Sequence, residues 1–179
     1  MLTDRLDDSP DYPGHVAVVL GSDTSPATVR DFYVWCDELG VEAATVCLPY
    51  AADRDVYAEA VADLHPPVRT VDGTETPEGS RFLSYIGGRD ELVAAFRRIA
   101  EDVDEGRLSS DEIDAEAVEE RLALPGEPDL LIEAAGEPLS DALVWQTVYS
   151  ELCHVEEFDR SALVGCLEDY TERERRYGR

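Results

Sequence analysis

His15-Val-Ala-Val-Val-Leu20, closed by Gly21, is the stretch that decides the fold. A strand with one face in water alternates polar and apolar residues. This one is apolar without a break from Val16 to Leu20, the pattern of a strand buried on both faces in a parallel sheet. Five such residues are far short of the roughly 20 that a membrane-spanning helix needs. Just downstream, Ser25-Pro26 supplies an N-cap and a proline at the first helical position. Val29, Phe32, Tyr33, Cys36 and Leu39 follow at helical spacing, and Gly40 stops the helix.

The same alternation continues outward. Strands are expected over 42–48, 81–86 and 129–132, and helices over about 53–64, from Leu92 to Val103, over about 114–123, over 139–148 and over 159–176. Residues 50–80 are turn-rich around His65-Pro-Pro and Asp72-Gly-Thr-Glu-Thr-Pro-Glu-Gly. The fold class is therefore α/β, a parallel sheet flanked by helices on both faces. Residues 1–14 read as a flexible acidic lead and 15–179 as a single domain.

Composition narrows the function classes. Acids number 41 against 15 bases, a net charge of −26, and every base is arginine because the chain has no lysine. Asparagine is absent and Gln146 is the single glutamine. Such charge destabilises a compact fold by self-repulsion, and becomes tolerable where molar salt shortens the Debye length to about 3 Å. Because the acids are spread along the whole chain, they point to the cytoplasm of a salt-accumulating halophile rather than to a nucleic-acid mimic with one acidic face. There is no basic stripe, so nucleic acid is not an expected partner. The N-terminus has neither the basic start nor the apolar run of a secretory signal. Cys36, Cys47, Cys153 and Cys166 include no CxxC pair and each lies in an apolar pattern, so all four are expected as reduced core residues. His15, His65 and His154 are scattered and read as structural or surface residues.

No phosphate-loop, dinucleotide, metalloprotease or nucleophile-elbow motif is present. The second half of the chain carries a different signal. Asp129-Leu-Leu-Ile-Glu-Ala-Ala-Gly-Glu-Pro-Leu-Ser140, Trp145-Gln146-Thr-Val-Tyr149-Ser-Glu151-Leu, Phe158-Asp159 and Glu174-Arg175-Arg176-Tyr177-Gly178 together resemble the undecaprenyl diphosphate synthase family of cis-prenyltransferases. Gly87-Gly88-Arg89, the segment Glu105 to Ile113, and Pro13 to Leu20 fit the same family. The resemblance implies a cis-prenyltransferase-like sheet assembled as a dimer. Its active members condense isopentenyl diphosphate onto an allylic diphosphate with Mg2+, which asks for arginines, amide donors and one or two metal carboxylates.

The chain departs from that pattern where the chemistry would sit. Gly21 occupies the position of the signature aspartate, and the following Ser22-Asp23-Thr24-Ser25 lacks the family's phosphate-binding arginine. Glu133 stands where the C-terminal motif begins with arginine, and its second arginine is missing before Ser140. The resemblance retains Gly136, Glu137 and Ser140 of the motif, Glu151 as the metal carboxylate, and Arg176, Tyr177 and Gly178 as the diphosphate-binding tail. Acids gathered near two diphosphates repel each of them by roughly 3 kcal/mol per pair at about 6 Å in an effective dielectric near 20.

The resulting expectation is a degenerate homologue that acts as the non-catalytic accessory subunit of a heteromeric polyprenyl diphosphate synthase. Its Arg-x-Gly tail would serve the site of a catalytic partner, which holds the Mg2+ and the isoprenoid diphosphates. A homodimer is the other assembly. Two further readings are an active divergent enzyme using Asp23 in place of the lost aspartate, and a binding or regulatory protein on the same fold. The expected location is cytoplasmic, peripheral at the membrane only through the partner or product. On salt, the expected outcome is a melting temperature, followed by circular dichroism, that falls as potassium chloride is lowered from about 3 M to about 0.05 M. An unchanged value would mean that the acidity is not a salt adaptation.

Overall fold

In the computed structural model, which describes residues 12–49, 52–73, 77–124, 126–134, 136 and 142–172, all of the strand pairings are parallel. The strands are β1 (His15–Leu20), β2 (Ala43–Cys47), β3 (Arg69–Val71), β4 (Arg81–Ser84), β5 (Leu130–Ala134) and β6 (Glu151–His154). They form one sheet in the order β3-β4-β2-β1-β5-β6. The helices are α1 (Pro26–Glu38), α2 (Arg54–Val61), α3 (Gly88–Asp104), α4 (Ala115–Glu119) and α5 (Arg160–Glu172).

The unbroken apolar strand sits at the centre, as its pattern requires. Val16, Val18 and Leu20 face one side with Ala44, Val46, Leu83, Leu130 and Ile132, and pack against Phe32 and Tyr33 of α1, Tyr57 and Val61 of α2, and Leu163 and Leu167 of α5. Ala17 and Val19 face the other side with Cys47, Phe82 and Leu131, under Ala123, Leu124 and Leu143. A third cluster joins Ala95 and Ile99 of α3 to Val118 and Leu122 of α4.

Local chemistry sets the element ends. Ser25 caps α1 by accepting from the Thr28 amide at 3.1 Å, and Pro26 opens the helix. At its other end Gly40, at φ 77°, lets the Val41 amide reach the Cys36 carbonyl and its own amide reach that of Asp37, a Schellman closure. Asp129 accepts from the amides of Gly14 and His15 at 2.9 and 3.0 Å, which fixes the start of β1 against β5.

Four expectations need correction. Tyr12 to Gly14 belong to the fold rather than to a flexible lead: Tyr12 donates to the Leu39 carbonyl at 2.7 Å, and Gly14 is held by Asp129; residues 1–11 lie outside the described residues. The stretch 142–149 forms successive turns instead of a helix, with Leu143 at φ 56°. Strands β3 and β6 are additional to those expected; both are short sheet edges whose residues alternate or stay exposed. Cys153 on β6 and Cys166 on α5 are joined as a disulfide, because α5 crosses the strand with the two Cα atoms 5.9 Å apart. Only Cys36 and Cys47 are free thiols, both buried.

The disulfide closes a loop over a sequence separation of 13, for which chain entropy gives about 3 kcal/mol. Denatured protein without reductant should therefore alkylate at two cysteines and reduced protein at four. The Cys153→Ser/Cys166→Ser variant should melt about 6–12 °C lower by calorimetry. Four alkylated cysteines in unreduced protein would show the bond to be absent.

Candidate functional site

The sheet order itself marks a crevice. From β1 the chain moves on to β2 on one side, whereas from β5 it moves to β6 on the other. The loops leaving these two adjacent strands diverge, and in an open parallel sheet that switch point, outside the carboxyl ends of the strands, is where ligands bind. Gly21, Ser22 and Asp23 leave β1 here, and Glu133, Ala134 and Gly136 leave β5. The register sets Val19 beside Glu133 and Leu20 beside Ala134. The first turn of α1 opens from the same loop, so its amide-rich end lies at the crevice.

The loop after β1 is held in place by α2. Tyr57 donates to the Thr24 carbonyl at 2.6 Å, and Tyr85, just after β4, donates to the Arg54 carbonyl at 3.2 Å. Arg54 in turn lies over the Tyr85 ring, 5.3 Å from its centroid. Helix α2 is also clamped to α1, since Arg30 donates to the Ala60 carbonyl at 2.9 Å and pairs with Asp63. Asp23 is exposed at the rim.

Glu133 behaves differently from what its position in the motif suggests. Its residue is only 3% exposed and it shares a row of the sheet with Val19 and Cys47, pointing toward the α3 side. Burial pushes the Cys47 thiol well above its ordinary range, and the carboxylates of Glu91 and Glu133 push it further. Two buried acids thus underlie the crevice. Glu91, in the first turn of α3, accepts from the Leu124 amide at 2.8 Å and from the Gln146 side-chain amide at 3.0 Å.

Glu151 is not brought to this crevice within one chain. It pairs in register with Leu130, at the amino end of β5, whereas Glu133 lies three residues further along, about 10 Å at the rise of a parallel strand. Among the described residues no three His, Cys, Asp or Glu side chains converge as ligands for a metal ion. Glu133 and Glu151 therefore do not share one metal site within a single chain. Ser140, Glu137, Arg176, Tyr177 and Gly178 lie outside the described residues. His15 is a structural residue whose Nε2 meets Thr45 Oγ1 at 2.9 Å, and His65 and His154 are exposed.

Sequence reasoning missed Arg54, Tyr57 and Glu91. The two α2 residues sit in a stretch that carries no motif. Glu91 stands beside Asp90 at a helix start, where acids are expected for their effect on the helix dipole, and nothing in that local pattern distinguishes the buried one.

Comparison with known proteins supplies the relationship. The family described as "Putative undecaprenyl diphosphate synthase" matches residues 74–178. This chain belongs to that family. An isoprenyl transferase from Agrobacterium fabrum is 46% identical over 99 residues, 51% of this chain and 40% of the relative. The tritrans,polycis-undecaprenyl-diphosphate synthase (geranylgeranyl-diphosphate specific) from Methanopyrus kandleri is 32% identical over 84% of this chain and 73% of its own length. The chain spans about half the length of the first curated relatives it matches. In structure it is similar to lavandulyl diphosphate synthase from Lavandula x intermedia, solved with dimethylallyl diphosphate, at TM-score 0.73 and 21% identity over 94% of this chain and 99% of the other. That likeness is one of fold.

The Tyr57–Thr24 bond makes a direct prediction for the loop. Tyr57→Phe should cost about 1 kcal/mol and lower the melting temperature by about 2–4 °C, with faster amide exchange in residues 21–25. Wild-type exchange in that loop would show that α2 does not hold it.

Proposed function

We propose that this chain is the accessory subunit of a heteromeric polyprenyl diphosphate synthase and does not catalyse prenyl transfer alone. The observation that carries the reading is Glu133 together with Gly21 at the switch-point crevice. A diphosphate there needs fixed donors and positive charge. Glu133 instead adds a buried acid in the row it shares with Val19 and Cys47, while Gly21 presents no side chain.

The partner in this reading is a catalytic chain of the same family. Val144, Val148, Tyr149 and Leu152 are large apolar residues left exposed on consecutive turns and on the edge strand β6, and Tyr149 is 71% exposed. They form a surface suited to a second chain. Glu151 lies on that strand, so its carboxylate would act across the interface, and Mg2+ would be held in the partner's site. Arg176 would reach the same site from beyond α5, where its planar fork suits a diphosphate.

Purified alone in molar salt, the chain should not incorporate radiolabelled isopentenyl diphosphate into an allylic primer. Incorporation above background would favour the divergent enzyme instead. In the reconstituted pair, Arg176→Ala should leave the complex intact by size exclusion and lower turnover about 30- to 5,000-fold, the effect of losing a charge-assisted contact worth about 2–5 kcal/mol. Full turnover in an intact complex would remove the functional case for the accessory subunit.

A further inference from the structure

Segment 142–149 has neither a helical nor a strand ladder, yet it carries exposed Val144, Val148 and Tyr149 and leads into β6. Leu143 holds a left-handed backbone at φ 56°, a conformation that a branched side chain rarely adopts and that surrounding structure must enforce. Most of the bonds along it are local or at its ends: the Thr147 amide donates to the Leu143 carbonyl and the Ser150 amide to that of Thr147, each at 3.2 Å. Trp145 Nε1 makes a long contact of 3.4 Å with Glu119 on the surface.

One anchor is of another kind. Gln146, 2% exposed, donates through Nε2 to Glu91 Oε2 at 3.0 Å, while Glu91 Oε1 takes the Leu124 amide at 2.8 Å. The orientation of the amide is set by the carboxylate, which accepts and cannot donate. The amide oxygen of Gln146, Oε1, has no hydrogen-bond partner among the described residues. A buried amide that makes one bond to a carboxylate is costly to leave unpaired, so its geometry is closely defined. It joins the first turn of α3, immediately after the Gly87-Gly88 turn at the end of β4, to the middle of the strained segment.

We infer that Glu91 and Gln146 are a positioning pair that holds segment 142–149 against the start of α3, and so sets the outward direction of Val144, Val148 and Tyr149. The consequence for a partner chain rests on the accessory-subunit reading; the pair itself does not.

An exchange of the two groups tests this. Gln146→Glu sets two acids face to face, whereas Glu91→Gln with Gln146→Glu restores one donor and one acceptor and keeps an oxygen at position 91 for the Leu124 amide. Hydrogen–deuterium exchange on the chain alone should find the amides of Thr147 and Ser150 exchanging about 10- to 100-fold faster in Gln146→Glu, with 15–20 and 43–47 still protected. The double variant should return to within about threefold of wild type. Unchanged exchange in Gln146→Glu, or no recovery in the double variant, overturns the proposal. If Gln146→Glu does not fold, a folded and protected double variant supports it and an unfolded one overturns it. Sedimentation with a catalytic chain is read separately: a protected segment that forms no complex supports the pair and counts against the accessory subunit.

Discussion

The structure depends on the pairing of β1 with β5. The Asp129 carboxylate fixes the alignment of these strands by taking the amides of Gly14 and His15, which lie 115 and 114 residues earlier in the chain. Every other layer refers to that contact. The α1, α2 and α5 helices rest on the side chains that β1 and β5 turn to one face, and Cys47, Val19 and Glu133 line up on the other. The crevice exists because the chain leaves these two strands in opposite directions. A residue at the end of either strand, Gly21 or Glu133, is therefore a matter of chemistry and not of packing alone.

The sequence was most legible where burial was greatest. A strand covered on both faces is mostly apolar, so β1 stands out as an unbroken apolar run and β2, β4 and β5 as apolar runs broken only by Thr45, by Arg81 and Ser84, and by Glu133, while α1 stands out through its caps. Edge strands β3 and β6 have only one neighbour each and carry exposed residues, so they leave no such trace. The turns over 142–149 carry a helix-like pattern for a specific reason. Leu143 and Gln146 are both buried and three apart, which is also the spacing of a helix face, but Gln146 is drawn in by Glu91 and Leu143 turns left-handed. The disulfide was invisible because each cysteine looks like a core residue on its own, and only the crossing of α5 over β6 brings them together.

The candidate site was legible in its identities and not in its geometry. Gly21 and Asp23 follow β1 and Glu133 lies near the end of β5, while the burial of Glu133 and the distance of Glu151 follow from register, which a single sequence does not reveal. The chain belongs to a family of synthases and carries a buried acid, Glu133, near the carboxyl end of β5. Family membership fixes the scaffold; the side chains at the strand ends decide what it can bind.

The two edges of the sheet differ in what they offer to another molecule. Strand β3 is three residues long and exposes Arg69 and Thr70, so one side ends in a short, charged margin of the kind that discourages further strands. The opposite side, at β6, adds Leu152 and the neighbouring apolar turns. The unequal edges thus give the sheet a direction: what meets it at β6 meets apolar side chains, and what meets it at β3 meets charge.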